Sequence, residues 1–228
     1  MIRLELTETY GWEAAIRGMR NPMNSWDKSD SCICSFDLDE LCHMVANGGK
    51  AACELEDMPY CVGKNDLALM KRLAKAGSDH RKYMRQIFVS VDITASLYWW
   101  KEFDTYKVGT VANSTSTMHK IHAKPFEAED FSTDQLTPFG KEALDLIVEF
   151  LENSRQCFNK SGDKNIWYDI ISILPSGYLQ RRTVTMNYEV LLNMYHARKN
   201  HKLYEWHEFC DWIKSLPYSE IITGDKIK

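Results

Sequence analysis

The chain has 228 residues and a mass of 26.5 kDa, and its residues are 44% hydrophobic and 26% charged. That balance is typical of a soluble globular protein and excludes a disordered or fibrous chain. The formal net charge of −4 gives no chain-wide basic footprint, so we expect no nucleic-acid partner.

The first sixty residues show turn signals at positions 21–22 (Asn-Pro), 47–49 (Asn-Gly-Gly) and 58–59 (Met-Pro), and we expect irregular structure there. Charges in positions 1–6 argue against a signal peptide. The chain has seven cysteines, an odd number, and it is not small, so we do not expect a disulfide framework. We expect a cytoplasmic location, where thiols stay reduced. The seven cysteines are Cys32, Cys34, Cys42, Cys53, Cys61, Cys157 and Cys210.

The five cysteines between positions 32 and 61, with His43 nearby, could in principle hold zinc. Their gaps are wide, whereas a zinc site uses paired ligands at short spacing. We therefore expect no metal and interpret these residues as free thiols, some buried and some partly exposed.

The middle of the chain alternates between helical and extended patterns. Apolar residues at helical spacing predict a helix over 65–77. Strict alternation over 87–93 predicts a half-buried strand, and 95–106 can continue as an aromatic-rich helix. The apolar window 87–100 is too short to span a bilayer, which needs about 20 residues. The segment 108–118 is rich in Gly, Thr, Ser and Asn, so its composition predicts a loop.

The last ninety residues predict four helices and a strand. The Thr-Pro pair at 137–138 begins a helix with an apolar stripe, and a Gly-Asp break at 162–163 separates it from a helical stretch ending near 174. Residues 181–186 alternate as a strand, Asn187 caps the next helix, and a last helix covers about 203–216. Without a regular βαβ rhythm, these elements favour an α+β fold.

The C-terminal third carries the most informative spacing. Leu-Pro at 174–175 is followed by a strand ending in Asn187, a helix carrying Arg198, and then His201 and Glu205. The gaps are 12 residues from Pro175 to Asn187, 11 from Asn187 to Arg198 and 4 from His201 to Glu205. This pattern resembles the C-terminal signature of flavin-dependent thymidylate synthases.

The central motif of that family, Arg-His-Arg-x-x-Ser-x-Asn-Glu-x-Ser-x-Arg-Tyr, has a weaker counterpart over 105–119. Asn113 and Ser116 match its Asn and second Ser, and Lys107 stands for the last Arg of its opening triplet if one residue is inserted. Ser114 replaces the motif Glu, and Met118 replaces its Arg. The resemblance covers about 64–206, whereas 1–63 matches only in length.

The resemblance implies one α+β domain over 1–228, with a central, mainly antiparallel sheet flanked by helices. It also implies a homotetramer whose active sites draw on several subunits. The implied enzyme is a methyltransferase of dTMP biosynthesis. It would bind FAD and a pyrimidine deoxynucleotide (dUMP or a relative) and transfer a one-carbon unit to C5. NADPH and methylenetetrahydrofolate would be co-substrates, and the flavin would carry the difficult chemistry.

Site residues follow from the same resemblance. Nucleotide binding is implied for Ser116 and Arg198, and we add Arg182 because two arginines on one strand face opposite ways and one of them can enter the site. FAD binding is implied for four residues, which are Lys107, Asn113, Asn187 and His201.

Ordinary roles remain open for the same side chains. Arg198 can be a salt-bridged surface arginine, Asn187 a plain helix cap and Ser116 a turn residue. His201 can simply pair with Glu205 on one helix face. At the level of function, the alternatives are a non-catalytic relative that binds a nucleotide or protein partner, and an unrelated domain that acts through protein contacts.

Overall fold

The computed structural model describes residues 2–33 and 60–224. The turn signals at 47–49 and 58–59, and Cys34, Cys42, His43 and Cys53, lie outside these ranges. The strands in chain order are β1 (Arg3–Tyr10), β2 (Cys32–Ile33), β3 (Tyr60–Cys61), β4 (Phe88–Ser96), β5 (Thr110–Ser114) and β6 (Leu179–Asn187).

Eight α-helices lie within the described residues. They are α1 (Trp12–Arg20), α2 (Lys64–Lys75), α3 (Leu97–Phe103), α4 (Pro138–Ser161), α5 (Lys164–Ile173), α6 (Tyr188–Arg198), α7 (Tyr204–Ser215) and α8 (Glu220–Thr223). None of the helices in the described part of the chain combines the length and the apolar character needed to cross a bilayer.

The main sheet has four antiparallel strands in the order β1-β4-β6-β5, and β2 pairs antiparallel with β3, with Cys32 opposite Cys61. The α+β class with an antiparallel sheet is thereby confirmed. Cys61 is disulfide-bonded, so its interpretation as a free thiol was wrong, whereas Cys157 and Cys210 are free thiols.

The chain divides into two compact units. Unit 1 consists of Met1–Glu5, Val91–Lys107 and Ala112–Val184. Unit 2 consists of Leu6–Ser90, Val108–Val111 and Thr185–Lys228. A single domain over 1–228 stays a prediction.

Unit 1 is built around the long helix α4. Thr137 caps its start by accepting a hydrogen bond from the Gly140 amide at 3.2 Å, and Gly162 ends it in the left-handed region at φ 68°. Leu144 and Leu151 face a core that also holds Ile170 of α5. This is the apolar stripe expected from the sequence, and α5 packs against it because α4 alone cannot bury it.

Unit 2 has an aromatic core. Trp12 makes edge-to-face contacts with Tyr188 and Tyr218 at ring-centroid distances of 5.2 Å each. The Tyr188 hydroxyl donates to the Pro217 carbonyl at 2.6 Å, which satisfies a polar group inside this apolar centre. Helices α1 and α6 are joined through these contacts.

Two further expectations from the sequence were wrong. The N-terminal region is not irregular, because it contains β1 and α1, and Trp12, Ile16 and Met19 are buried on one helical face. The segment 108–118 is not simply a loop, because β5 occupies Thr110–Ser114. Its partner strand β6 supplies backbone hydrogen bonds that composition cannot register.

Glu152 on α4 anchors the loop that precedes this helix. Its carboxylate accepts hydrogen bonds from Arg155 Nη2 at 2.6 Å, Gln156 Nε2 at 3.0 Å and the Phe126 amide at 3.0 Å. The bonds from Arg155, opposed by partial burial and helped by Gln156 and the Phe126 amide, lower the pKa of Glu152 to about 2.

The lowered pKa of Glu152 predicts a specific acid sensitivity. The folded protein releases this proton more readily than the unfolded chain, so stability is lost as pH falls from about 4.5 towards 2. We expect Glu152→Gln to reduce this loss, because it removes the titrating group. Urea unfolding at several pH values measures it, with Glu149→Gln, an exposed acid on the same helix, as the control. An unchanged pH dependence in Glu152→Gln would contradict the assignment.

Candidate functional site

The seven predicted site residues are distributed over both units. Unit 1 holds Lys107, Asn113, Ser116 and Arg182, and unit 2 holds Asn187, Arg198 and His201. The predicted nucleotide set and the predicted FAD set therefore each draw on the two units.

Unit 1 contains an open cavity of about 460 Å³, which we call the unit 1 cavity. Four cationic side chains line it, and three carboxylates share its surface. The cations are Arg3, Lys120, Lys124 and Arg181, and the carboxylates are Glu5, Glu129 and Asp130. Because the four cations can donate charge-assisted hydrogen bonds, this lining suits an anionic ligand that also carries hydrogen-bonding groups.

Ser116 lies at the rim of this cavity in a tight turn after β5. Its hydroxyl oxygen accepts hydrogen bonds from the amides of Met118 at 3.3 Å and His119 at 2.8 Å. Thr115, also part of the lining, is fixed to β6 because its amide donates to the Arg181 carbonyl at 2.9 Å. The turn is therefore pre-formed, and both hydroxyl-bearing residues stand beside Arg181.

Arg181 is held at the cavity by carboxylates. Its Nη2 donates to Asp92 Oδ2 at 2.6 Å, and Nη1 lies 3.7 Å from Glu5 Oε2. Thr183 donates to the other oxygen of Asp92 at 2.6 Å. These bonds, first from Thr183 and then from Arg181, lower the pKa of Asp92, so the acid stays ionised and orients the guanidinium.

Arg182 points elsewhere. Its guanidinium carbon lies 4.1 Å above the ring of Trp100, and Nη1 donates to Asp104 at 2.7 Å. Nε donates to the Gln180 side chain at 3.0 Å. The opposite directions of neighbouring strand residues were expected, but the arginine at the cavity is Arg181. Nucleotide contact by Arg182 stays a prediction.

The other two predicted residues of unit 1 do not line the cavity. Lys107 is exposed after α3, and Asn113 is exposed on β5. The neighbouring Trp99 and Trp100 are buried and pack edge-to-face at 5.0 Å, as core residues rather than a stacking platform.

Asn187 in unit 2 caps helix α6. Its side-chain oxygen accepts from the Val190 amide at 3.0 Å, as the sequence predicted. Gly109 lies so close that an added Cβ would stand 2.9 Å from Asn187 Nδ2, and its φ of 78° also favours glycine. The next residue, Thr110, has a buried hydroxyl that makes no hydrogen bond within the described chain.

Arg198 and His201 meet at one indole. The guanidinium carbon of Arg198 lies 4.8 Å from the ring centre of Trp206, and the His201 ring lies 6.3 Å from it, nearly edge-on. The His201 amide also donates to the Arg198 carbonyl at 2.9 Å. The end of α6 and the segment before α7 thus bring Arg198 and His201 together at Trp206. The family pattern had given only their separation along the chain.

The basic run after His80 is tied to one buried acid. Glu189 accepts a hydrogen bond from Arg81 Nε at 3.2 Å and another from Arg85 Nε. Burial alone would raise the pKa of Glu189, but the bonds from Arg85 and Arg81 lower it. Both arginines therefore stabilise unit 2 through an ionised carboxylate.

A larger cavity of about 970 Å³ in unit 2 is lined by none of the predicted site residues. No group of three or more His, Cys, Asp or Glu side chains that could hold a metal ion occurs within 2–33 and 60–224.

Comparison with known proteins decides the fold. Thymidylate synthase X from Helicobacter pylori, a flavin-dependent thymidylate synthase solved with FAD and dUMP, superposes with a TM-score of 0.64 at 16% identity. The match covers 97% of this chain and 96% of that one. This chain has the fold of flavin-dependent thymidylate synthases.

A second neighbour in fold is the UMP/dUMP methylase PolB from Streptomyces cacaoi, bound with 5-Br dUMP. It aligns with a TM-score of 0.59 and 13% identity, over 98% of this chain and 95% of that one. No family model and no curated protein matches the sequence. The flavin-dependent thymidylate synthase fold expected from the C-terminal spacing is confirmed by these structural neighbours.

Several residues of the unit 1 cavity were not predicted from the sequence. Arg3 and Glu5 come from the part of the chain that the resemblance left unmatched, and Tyr178 lies inside the C-terminal spacing but was not proposed as a site residue. Arg181 was one of the two strand arginines considered from the sequence, but Arg182 was the one proposed for the site. The alternation along 181–186 was the available signal for Arg181, since it puts that residue on the polar face with Thr183.

Proposed function

We propose that this protein is a flavin-dependent methyltransferase of the thymidylate synthase type, with a pyrimidine nucleotide bound in the unit 1 cavity. The observation that carries the proposal is the meeting of the Ser116 turn with Lys120 and Arg181 at one cavity. This is the chemistry that a nucleotide phosphate requires, since hydroxyls and cations donate to its oxygens.

The arrangement supports phosphate binding for a geometric reason. Arg181 is pre-oriented by Asp92, and Thr115 is pinned to β6, so little side-chain freedom is lost when an anion binds. Arginine suits this role because its planar fork matches two phosphate oxygens. Arg181 thus offers a replacement for the arginine that the family pattern has at the position of Met118.

FAD fits residues of unit 2. The buried hydroxyl of Thr110 has no partner in the described chain, and the Asn187 amide nitrogen stays available because only its oxygen is used in the helix cap. Buried polar groups are normally hydrogen-bonded, so these two donors suit an acceptor of a bound flavin. When bound, the flavin would supply the hydride of the reaction. Asn187 and Thr110 would hold and orient it.

The fold neighbours support the same proposal, because one was solved with FAD and dUMP and another is a UMP/dUMP methylase. We extend it to NADPH as reductant, methylenetetrahydrofolate as one-carbon donor, a homotetramer, and a cytoplasmic location. His201 and Arg198, gathered at Trp206, are proposed to contact the flavin and the nucleotide respectively.

Titration calorimetry with dUMP, UMP and uridine tests nucleotide binding. We expect both nucleotides to bind and uridine to bind far more weakly, because the phosphate supplies charge-assisted hydrogen bonds of about 1.5–3 kcal/mol each. Visible absorbance before and after addition of FAD tests the cofactor. Equal affinity for uridine and dUMP, or no binding, would refute the phosphate site.

A second candidate function is a nucleotide-binding relative without catalysis. Ser114 and Met118 favour it, since they replace the Glu and Arg of the central motif and both are exposed. Nucleotide-dependent NADPH oxidation in the presence of FAD separates the two functions. Turnover supports the enzyme, and nucleotide binding without turnover supports the second candidate.

A further inference from the structure

Tyr178 is a rigidly held side chain at the unit 1 cavity. Its ring packs edge-to-face against Phe131 at 5.6 Å and Phe126 at 6.4 Å, and only 9% of the residue is exposed. Its backbone is fixed as well, because its amide donates to the Pro175 carbonyl at 3.0 Å and its carbonyl accepts from the Leu97 amide at 3.0 Å. The phenol ring of Tyr178 is therefore held in one orientation.

The hydroxyl of Tyr178 makes no hydrogen bond to any part of the chain that the structure describes. Because Tyr178 lines the unit 1 cavity, this hydroxyl is open to a hydrogen bond from a ligand bound there. The charges of Asp130 and Lys124 both act on this phenol. These two residues also line the cavity, so a ligand bound there can reach all three side chains.

The lining indicates which part of a nucleotide would lie there. Tyr178 is the only aromatic residue among the described residues that line the cavity, and Phe126 and Phe131 already pack against it. A base would find no free aromatic face to stack on. The lining instead offers hydrogen-bonding groups. The Tyr178 hydroxyl can donate and accept, the Asp130 carboxylate accepts, and the Lys124 ammonium donates. A sugar hydroxyl, which both donates and accepts, matches that set.

We propose that the Tyr178 hydroxyl hydrogen-bonds a sugar hydroxyl of the bound nucleotide, so that Tyr178 is a specificity-determining residue of the unit 1 cavity. The inference rests on the proposed function, since it requires a nucleotide in that cavity. Lys124 and Asp130 form an ion pair next to this contact and offer the sugar a further donor and acceptor.

The test removes one hydroxyl from the protein and others from the ligand. Affinities of UMP, dUMP and 2′,3′-dideoxyuridine 5′-monophosphate are measured by calorimetry for the full chain, for Tyr178→Phe and for Tyr168→Phe. Tyr168 is the matched control, since it is an exposed tyrosine of unit 1 that does not line the cavity. We expect the original protein to prefer a hydroxyl-bearing nucleotide over the dideoxy compound by about 3- to 10-fold, the value of one hydrogen bond.

Tyr178→Phe should abolish this preference, and Tyr168→Phe should keep it. The fold should survive, because the lost hydroxyl has no partner within the described chain, and thermal unfolding checks this. A preference that persists in Tyr178→Phe, or that is absent in the original protein although nucleotides bind, would overturn the inference alone. If the original protein binds none of the three nucleotides, the proposed function fails as well.

Discussion

Replacing Asp66 with asparagine is expected to lower the free energy of unfolding by about 3–5 kcal/mol, because it leaves the buried Arg20 guanidinium without its counter-charge. The side chains of Arg20 and Asp66 are 5% and 0% exposed. Arg20 Nε donates to Asp66 Oδ1 at 2.6 Å, and Ser31 and Ser29 donate to Oδ2 at 2.6 and 2.7 Å.

The physical reason is that burial and hydrogen bonding act in opposite directions at this acid. Burial alone would raise the pKa of Asp66, but the hydrogen bonds from Ser31, Ser29 and Arg20 lower it. Asp66 is therefore ionised in the folded protein. The pair also joins α1 to α2. Asparagine keeps the shape, but it removes the charge and replaces one acceptor oxygen with an NH2 donor, so hydrogen bonds to that oxygen are lost together with the charge.

Urea unfolding followed by circular dichroism measures this effect. Asp27→Asn is the control, since Asp27 is exposed in the connection between α1 and β2 and such changes usually stay within about 0.5 kcal/mol. A midpoint for Asp66→Asn equal to that of the unaltered protein would show that the charge of Asp66 contributes nothing to stability.

Replacing Arg181 with glutamine is expected to weaken nucleotide binding by about 10- to 150-fold, because one or more charge-assisted hydrogen bonds to the phosphate are lost. Arg182→Gln should leave nucleotide affinity close to that of the original protein. Its guanidinium is already used by Trp100, Asp104 and Gln180, so its loss should lower stability instead.

The pair is a sharp comparison, because the same chemical change is made at adjacent residues that face opposite sides of one strand. Calorimetric titration with dUMP gives the affinity, and thermal unfolding gives the stability of each variant. If Arg182→Gln loses affinity while Arg181→Gln retains it, the nucleotide contact belongs to Arg182, as the sequence first suggested.

Helices with strong local signals were predictable. Asn187 was expected to cap α6 and does so, because an N-cap needs only its own side chain and the amide three residues later. The helix α4 begins after Thr137 and ends at Gly162 for similarly local reasons. Trp12, Ile16 and Met19 also follow local helical spacing, at intervals of four and three residues, and they are buried in α1. The turn signals in the first sixty residues led instead to a prediction of irregular structure.

Strands with exposed faces were harder to predict. In β5 four of five residues are exposed, and β1 is also mostly exposed, so neither shows the apolar alternation of a half-buried strand. What makes them strands is pairing with residues far away in sequence, β6 for one and β4 for the other. Such pairing depends on the partner and not on local composition.

The sequence by itself determined the fold class, most helix positions and the C-terminal spacing of the thymidylate synthase fold, because these rest on local periodicity and on fixed intervals along the chain. Only the tertiary structure decided that Arg181 rather than Arg182 reaches the unit 1 cavity, and that the hydroxyl of Tyr178 has no partner there within the described chain. Those outcomes depend on Trp100, Asp92, Phe126 and Phe131, which meet their partners only through long-range packing.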